Sequence, residues 1–314
     1  MARTAAATLA AREEVRRALT GHRRDVGSTL FQLGLLLTLI LALAILLVLL
    51  AQIIRQALPV LQDRGGQILT SPYSSLAERA GVRYGIIGSL YLMVFVVVIA
   101  FPLGIGAAVY MEEYARDSRL TRIINANIRN LAGVPAIVYG ILGLAIFVEL
   151  LGGITGPDAE GQSLLSGGLT IAIMVLPIII ITTAEALRAV PSSIREAGFG
   201  VGATRWEVIR SHVLPNAAPG ILTGSVLAMA RALGETAPLI MVGAATGFLA
   251  TRGGFADTLQ DHFTALPTLI FAFTKKPQPE FQDVAAAAIL VLMGTIFLVN
   301  LAAILLRNRY ERKW

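Results

Sequence analysis

Arg231 and Glu235 lie within a long apolar stretch in the second half of the chain, and their types and spacing suit the binding of an anion. Residues four apart share one face of a helix, so these two can pair. The planar guanidinium of arginine donates two parallel hydrogen bonds to an oxyanion, and the carboxylate would keep the empty site near neutral. With Thr236 they form a predicted substrate pathway. The same pair could instead lock the helix to a neighbouring subunit, and the sequence leaves both interpretations open.

The element that must position these residues is a predicted membrane-spanning helix over 217–245, with Arg231 near its midpoint. An arginine at that depth costs roughly 2.5–3.5 kcal/mol on insertion scales, which makes it a functional candidate by default. Pro238 has no N–H, so the carbonyl of Gly234, four residues earlier, would be left free. The sequence therefore predicts a helix kink beside the charged pair.

The composition is that of a membrane protein rather than of a soluble domain. Of the 314 residues, 55% are hydrophobic and 15% are charged, whereas soluble domains carry about 25% charge. The lack of cysteine excludes disulfides, cysteine metal sites and thiol nucleophiles, and the three histidines have no metal-ligand spacing. The net charge of +6 does not indicate nucleic-acid binding, because no soluble basic domain is present to carry it.

Uncharged windows predict an all-α integral membrane protein with six transmembrane helices, since a span needs about 20 residues. The first window is much longer than the apolar core of a signal peptide and predicts a retained anchor. The basic segment before it fits either an amphipathic helix on the membrane surface or a disordered tail. The predicted division is a basic segment 1–25, spans 26–54, 84–111, 130–150, 165–186, 217–245 and 284–306, a polar segment 190–215, an outer loop 252–283 and a tail 307–314.

The distribution of Lys and Arg predicts the orientation. If the N-terminus is cytoplasmic, the inside segments hold 18 basic residues and the outside segments hold 7. Cytoplasmic loops of membrane proteins carry the excess of Lys and Arg. The count therefore places both termini and the segment 190–215 in the cytoplasm.

The outer loop 252–283 contains an apolar run, 266–273, that is too short to span a bilayer. We expect an interfacial helix there, followed by a turn around Pro277 and Pro279. Such a loop would contact an outside partner or act as a spacer between the fifth and sixth spans.

The polar segment 190–215, called the docking loop below, contains two sequence patterns for starting a helix. Ser193 precedes Glu196 by three residues, and Thr204 precedes Glu207 by three. Each pair fits a capping box, in which a hydroxyl and a carboxylate satisfy free backbone N–H groups.

Gly202 lies between these two patterns, where a left-handed turn that ends a helix forms easily. We therefore predict two short helices joined by a sharp turn. A segment that only connects two spans needs no helix caps, so we interpret the docking loop as a knob for a cytoplasmic partner.

The chain contains no phosphate-binding loop for ATP. Its three lysines are Lys275, Lys276 and Lys313, and none follows a glycine as the GxxxxGK[ST] pattern requires. The chain itself is therefore not expected to be an enzyme or to hold a cofactor. If transport is driven by ATP, the nucleotide and its magnesium belong to a separate subunit that grips the docking loop.

The docking loop resembles the cytoplasmic signature of permease subunits in bacterial ABC importers. That signature reads E-A-A, three residues, G, nine residues and I-x-L-P, and this chain matches it at Glu196, Ala197, Gly202, Leu214 and Pro215. Gly198 replaces the third alanine, which implies a less rigid first helix. His212 replaces the isoleucine, which implies a lost apolar contact. The resemblance implies a type I, MetI-like fold in which the ATPase is contacted by Arg195, Glu196, Ala197, Gly202, Ala203, Thr204, Leu214 and Pro215.

Further motifs resemble the PstA permeases of phosphate importers. They are the stretches 112–115, 133–140, 186–191 and 230–238. The resemblance implies a complex with a PstC-like second permease, two PstB-like ATPases and a PstS-like external phosphate-binding protein. It also implies alternating access, in which ATP binding closes the ATPases and the docking loop passes that motion to the helices.

Two alternatives remain. One is a permease for another oxyanion, such as molybdate or sulfate, because one guanidinium suits these ions similarly. The other is an ion-gradient-driven carrier, which usually shows two related halves, and no clear repeat is visible here. A purely structural membrane anchor would not explain charges at mid-span.

Overall fold

The computed structural model describes residues 26–244 and 254–310 of the chain. The predicted N-terminal segment 1–25, the first residues of the outer loop and the last residues of the tail lie outside the described residues. The chain divides into two units, Met1–Gln52 and Ile53–Trp314. All features of the site discussed below belong to the second unit.

The described residues form helices and contain no strand, which confirms the predicted all-α class. The helices of five or more residues in this part of the chain are α1 (Val26–Arg64), α2 (Arg83–Tyr114), α3 (Arg119–Ala132), α4 (Ala136–Leu150), α5 (Leu164–Arg188), α6 (Ser192–Gly200), α7 (Arg205–Gly234), α8 (Ala237–Met241), α9 (Phe255–Gln260), α10 (Leu266–Thr274) and α11 (Glu280–Tyr310).

Helix α1 is ten residues longer than the predicted span 26–54. The prediction stopped where the uncharged window ends, before Arg55. A charge at the edge of a bilayer does not end a helix, because a long side chain can extend its charged group into the interface. The described part of the first unit is the section of α1 up to Gln52, and its large apolar side chains are exposed.

Helix α5 forms the centre of the second unit. Ile171, Met174 and Ile179 are buried along its length, and α2, α3, α4 and α7 all contact it. An apolar helix that is covered on most sides is typical of a bundle interior. This central helix matches the predicted span 165–186 to within two residues at each end.

The third span differs from its prediction over 130–150. The chain forms α3 up to Ala132 and restarts as α4 at Ala136, with the two helix axes bent by 102°. Pro135 takes an extended conformation at the start of α4, and residues that precede a proline are biased away from helical geometry. Five described helices are long and apolar enough to cross a membrane, and six candidate spans result if α3 and α4 count as one.

The fifth span also differs from its prediction over 217–245. Helix α7 begins at Arg205, inside the docking loop, and ends at Gly234. Glu235 is extended, with φ −81° and ψ 125°. Arg231 therefore lies in the last turn of a helix and not at the midpoint of a continuous one.

The apolar run of the outer loop forms the predicted helix, but this helix is largely buried within the protein. In α10, Leu266, Leu269 and Phe273 are buried among residues of α2 and α11. The Leu266 N–H donates to Ser89 Oγ of α2 at 2.9 Å, which satisfies one free donor of the helix start. The apolar side chains of α10 are therefore covered by α2 and α11, whereas we expected lipid to cover them.

Candidate functional site

The turn of the docking loop has the predicted left-handed geometry. Helix α6 ends at Gly200, and Gly202 then adopts φ +83°. That conformation costs roughly 1–2 kcal/mol for a residue with a Cβ. The prediction of a left-handed turn at Gly202 is confirmed.

The capping box at Thr204 is also confirmed. The backbone N–H of Thr204 donates to Glu207 Oε2 at 2.7 Å, and the Glu207 N–H donates to Thr204 Oγ1 at 3.4 Å. The two residues satisfy each other's backbone donors at the start of α7. The cap therefore fixes the direction in which α7 leaves the turn.

The capping box predicted at Ser193 is wrong. Pro191 occupies the cap position of α6, and no side-chain hydrogen bond caps this helix. Ser193 is the second residue inside α6, two positions after the cap, so its hydroxyl cannot act as the cap. The S-x-x-E pattern alone does not determine which residue starts the helix.

The docking loop contains one short helix rather than two. The second helix starts at Arg205, passes through a π-helical turn at Ile209–Val213 and continues as the fifth span to Gly234. The turn at Gly202 is therefore connected without a break to a helix of about 45 Å.

The two departures from the importer signature have structural explanations that the sequence did not supply. Gly198 is buried, and a Cβ there would lie 2.7 Å from Val208 Cγ2, so its absence lets α6 and α7 approach closely. His212 is exposed, while the adjacent Val213 is fully buried. The substitution at His212 therefore removes no core contact.

Helix α6 is tied to the end of α2 by a partly buried ion pair. Arg195 Nη2 donates to Glu113 Oε1 at 2.7 Å, and Arg195 Nε donates to the same oxygen at 3.1 Å. The exposed fractions of the two side chains are 22% for Arg195 and 9% for Glu113.

Arg195 also bonds to the end of the central helix and the residues after it. Its Nη1 donates to the Val190 carbonyl and its Nη2 to the Leu187 carbonyl, both at 2.9 Å. One guanidinium thus joins α2, α5 and α6, and such charge-assisted bonds are among the stronger ones in proteins.

A second ion pair lies beside the first. Arg188, the last residue of α5, bonds with both oxygens of Glu112, and its Nε donates at 2.9 Å. We call Glu112, Glu113, Arg188 and Arg195 the arginine clamp. The clamp lines an open hollow of about 420 Å³ that also borders Phe199 and Arg205.

The tip of the docking loop carries apolar side chains that lie uncovered within this chain. Phe199, Val201 and Trp206 are all exposed, Val201 to 84%. Glu196 and Ala197 of the signature are exposed as well. Exposed apolar groups clustered on a rigid support are typical of a binding surface.

The predicted substrate residues lie at the helix break formed by Glu235 and Thr236. Helix α8 begins at Ala237, so Pro238 occupies its first turn, where no N–H is needed. The predicted kink is therefore a complete break. Gly140 of α4 lies so close that a Cβ on it would be 2.7 Å from Pro238 Cα. The packing of α4 against α8 holds the break in place.

The predicted pairing of Arg231 with Glu235 is confirmed. Arg231 Nε donates to Glu235 Oε1 at 3.1 Å, and the exposed fractions of the two side chains are 35% and 23%. The terminal nitrogens of Arg231 bond to nothing within the described residues, nor does the Thr236 hydroxyl. The break therefore presents two guanidinium nitrogens and a hydroxyl that are free of partners among the described residues.

The structure groups the predicted site residues at two separate places. Arg195, Glu196, Ala197, Gly202, Ala203 and Thr204 surround the loop turn, and Leu214 and Pro215 follow along α7. Arg231, Glu235 and Thr236 lie at the far end of α7. Sequence reasoning did not assign roles to Glu112 and Glu113. The sequence did contain a signal for these ion pairs. Glu112 and Glu113 directly follow the second predicted span, on the side of the membrane where Arg188 and Arg195 were expected.

Comparison with known proteins identifies the family. Residues 100–313 match the family of binding-protein-dependent transport system inner membrane components. The chain belongs to this family. It is thus an integral membrane component of an ABC-type transport system, and the prediction of an importer permease is confirmed at that level.

Named relatives of this permease are about one third identical to it over the aligned residues. The probable ABC transporter permease protein YqgI of Bacillus subtilis is 34% identical over 57% of this chain, which spans 59% of that relative's length. The phosphate transport system permease protein PstA of Yersinia pestis is 34% identical over 71% of each chain. PstA 1 of Mycobacterium tuberculosis is 32% identical over 72% of this chain and 70% of its own.

Solved structures support the permease fold. A bacterial alginate ABC transporter in complex with an alginate-bound periplasmic protein matches with a TM-score of 0.60 and 15% identity, over 94% of this chain and 97% of that chain. The MetNI methionine ABC transporter, in an inward-facing conformation, matches with a TM-score of 0.56 and 17% identity, over 74% of this chain and 96% of that chain. The predicted MetI-like fold is therefore confirmed.

Proposed function

We propose that this permease is the membrane-spanning subunit of an ATP-driven importer of inorganic phosphate. The observation that carries the substrate proposal is the free guanidinium face of Arg231 at the helix break. Two parallel N–H donors match two oxygens of a tetrahedral oxyanion. The similarity to permeases named for phosphate transport favours phosphate among such ions.

The partners follow from the chemistry that this chain lacks. With no phosphate-binding loop in the sequence, ATP and magnesium would bind a PstB-like ATPase dimer. A PstC-like second permease would complete the pathway, and a PstS-like protein would deliver phosphate from outside. Both termini and the docking loop would face the cytoplasm of a bacterial inner membrane, as the excess of basic residues there favours.

The docking loop would transmit the motion of the ATPases. Its exposed apolar tip, with Phe199, Val201 and Trp206, would fill a cleft of the ATPase. When ATP draws the two ATPases together, α6 would move with them. Arg195 ties α6 to α2 and α5, so those helices would follow rather than slide past it.

Helix α7 would carry the same motion to the substrate residues. It runs from Arg205, just after the turn at Gly202, to Gly234, just before the break at Glu235. A continuous helix of this length would act as a lever, and the break provides a point where the direction changes. Arg231 would then face one side of the membrane or the other as the complex alternates.

The decisive experiment is the uptake of radiolabelled phosphate by the reconstituted complex, with molybdate and sulfate as competitors. We expect ATP-dependent uptake that unlabelled phosphate suppresses and that equal concentrations of the other two ions do not. Preferential suppression by molybdate or sulfate would assign a different oxyanion. Uptake by vesicles that contain only this chain, without ATP, would overturn the importer proposal itself.

A further inference from the structure

Helix α3 presents three different faces around its axis. The face toward the bundle packs against α5, is half-buried and holds Thr121, Asn125 and Ile128. The second face is exposed and mainly apolar: it holds Leu120, Ile123, Ile124 and Leu131, with Asn127 among them. The third face is basic, is exposed and holds Arg119, Arg122 and Arg129. An exposed apolar face beside an exposed basic face is unusual for a helix in water and typical of a helix at a membrane surface.

The direction of α3 fits the same location. Its axis is bent by 102° from that of α4, so α3 lies nearly parallel to the bilayer plane if α4 crosses the bilayer. The 15 residues of α4 extend about 22 Å, less than the hydrocarbon thickness of about 30 Å. Interfacial helices sink roughly 5–10 Å into the headgroup region. If α3 lies at that depth, α4 starts below the membrane surface. The short helix α4 is then long enough to cross the rest of the bilayer.

The charges of the basic face are mostly available to a ligand. Arg122 Nε lies 3.7 Å from Asp117 Oδ1, and both side chains are well exposed. No carboxylate of the described residues lies within ion-pair distance of Arg119 or Arg129. An arginine that has no carboxylate partner within the protein and lies next to an apolar face can bind the phosphate groups at a bilayer surface.

We propose that α3 is an interfacial helix that binds anionic lipids. Its arginine face binds the phosphates of lipid headgroups, and its leucine–isoleucine face enters the acyl layer beside them. The lipids lie in the leaflet on the side of the docking loop, because α3 starts five residues after the end of α2, where the arginine clamp is located. This assignment depends only on the chain being a membrane protein and not on which ion it carries.

Lipid affinity tests the basic face. The full chain, purified with its natural subunits, is examined by native mass spectrometry for retained phosphatidylglycerol against phosphatidylcholine. Replacing Arg119→Gln and Arg129→Gln together is expected to weaken phosphatidylglycerol binding by about fivefold for each arginine. The matched control replaces Arg79→Gln and Arg210→Gln, two exposed arginines outside α3, and is expected to bind as the parent does. Equal behaviour of the two double variants would overturn the proposal.

Label depth tests the apolar face, and the lack of native cysteine makes single-site labelling possible. A fluorophore on Ile124→Cys is expected to be quenched by lipids that carry a nitroxide on the acyl chain. A fluorophore on Ala126→Cys, an exposed position on the basic side, is expected to be quenched mainly by a water-soluble quencher. If the label at Ile124→Cys is shielded from both quenchers in the assembled complex, a protein partner covers this face and the lipid assignment is wrong.

Discussion

Two Arg–Glu pairs, one at the docking loop and one in the last turn of α7, differ in how completely their arginines are used. Arg195 bonds with Glu113, 82 residues away in sequence, and with two backbone carbonyls. Within the part of the chain that the structure describes, the Arg231 side chain makes one hydrogen bond, to the carboxylate of Glu235, four residues later. An arginine whose three nitrogens all donate to protein acceptors fixes the structure, whereas one with free donors can bind an incoming anion. We infer that Arg195 at the docking loop helps to transmit the motion of the ATPases, and that Arg231 at the helix break binds the substrate.

The largest expected effect is at Arg195. Replacement by alanine removes the bonds to Glu113, Leu187 and Val190 and leaves a mostly buried carboxylate without a partner. Removing one member of a fully buried pair costs about 3–5 kcal/mol, and partial exposure reduces this to roughly 2–3 kcal/mol. ATP hydrolysis should continue while uptake is almost lost, measured as ions transported per ATP hydrolysed. Arg210→Ala, at an exposed arginine of the same loop, serves as the control and should stay coupled.

The next effect is at Arg231 and tests the other half of the comparison. Arg231→Ala should lower phosphate uptake by about 10- to 100-fold, as expected for the loss of hydrogen bonds to a charged group worth about 1.5–3 kcal/mol. The complex should remain assembled by size-exclusion chromatography. Arg231→Lys keeps the charge but cannot donate two parallel hydrogen bonds, so its phosphate uptake should lie between that of the parent and that of Arg231→Ala.

Glu235→Gln then separates the two interpretations of that pair. If the pair locks subunits together, this variant should disassemble the complex as strongly as Arg231→Ala does. If Arg231 binds the anion, Glu235→Gln should leave the complex intact and retain phosphate uptake. Disassembly in both variants would contradict the substrate assignment.

A smaller effect is expected at the loop turn. Gly202→Ala introduces a Cβ at φ +83° and should cost about 1–2 kcal/mol in the native turn, and Gly202→Val should be worse. Coupling of uptake to ATP hydrolysis should fall in that order while membrane insertion is unchanged. Gly200→Ala places the same methyl group at the end of α6, where nothing lies within 4 Å, and should have little effect. Normal coupling in Gly202→Val would remove the turn from the mechanism.

The smallest effect compares two hydroxyls of the same loop. Thr204→Ala removes a side-chain cap and should lower stability by about 1 kcal/mol. Ser193→Ala removes no cap and should leave the stability unchanged. Thermal unfolding of the purified complex measures both. Equal shifts would show that the Thr204 cap does not stabilise α7.

Several features of the site were readable from local sequence because they depend on neighbouring residues. The cap at Thr204, the left-handed turn at Gly202 and the pairing of Arg231 with Glu235 each involve residues within four positions. Helix geometry fixes such contacts once the helix forms. The spans 84–111, 165–186 and 284–306 were found for a similar reason, since a long uncharged window has few alternatives.

Other features failed because local patterns compete with one another. Ser193 matched a capping pattern, but Pro191 started the helix two residues earlier. Pro238 was expected to kink a continuous helix, yet the chain broke at Glu235 and used the proline in a new first turn. Which of two compatible local arrangements forms depends on packing energies that no short window contains.

By itself, the sequence determined that the chain spans a membrane, that it contains no GxxxxGK[ST] pattern, and that its polar loop turns at Gly202. These are consequences of composition and of contacts between near neighbours. Only the tertiary structure decided that Glu113 meets Arg195 across 82 residues, that α10 is buried, and that Arg231 ends a helix with free donors. Contacts between distant residues depend on how helices pack, and the fit of side chains between helices selects one arrangement among many that the same hydrophobic pattern allows.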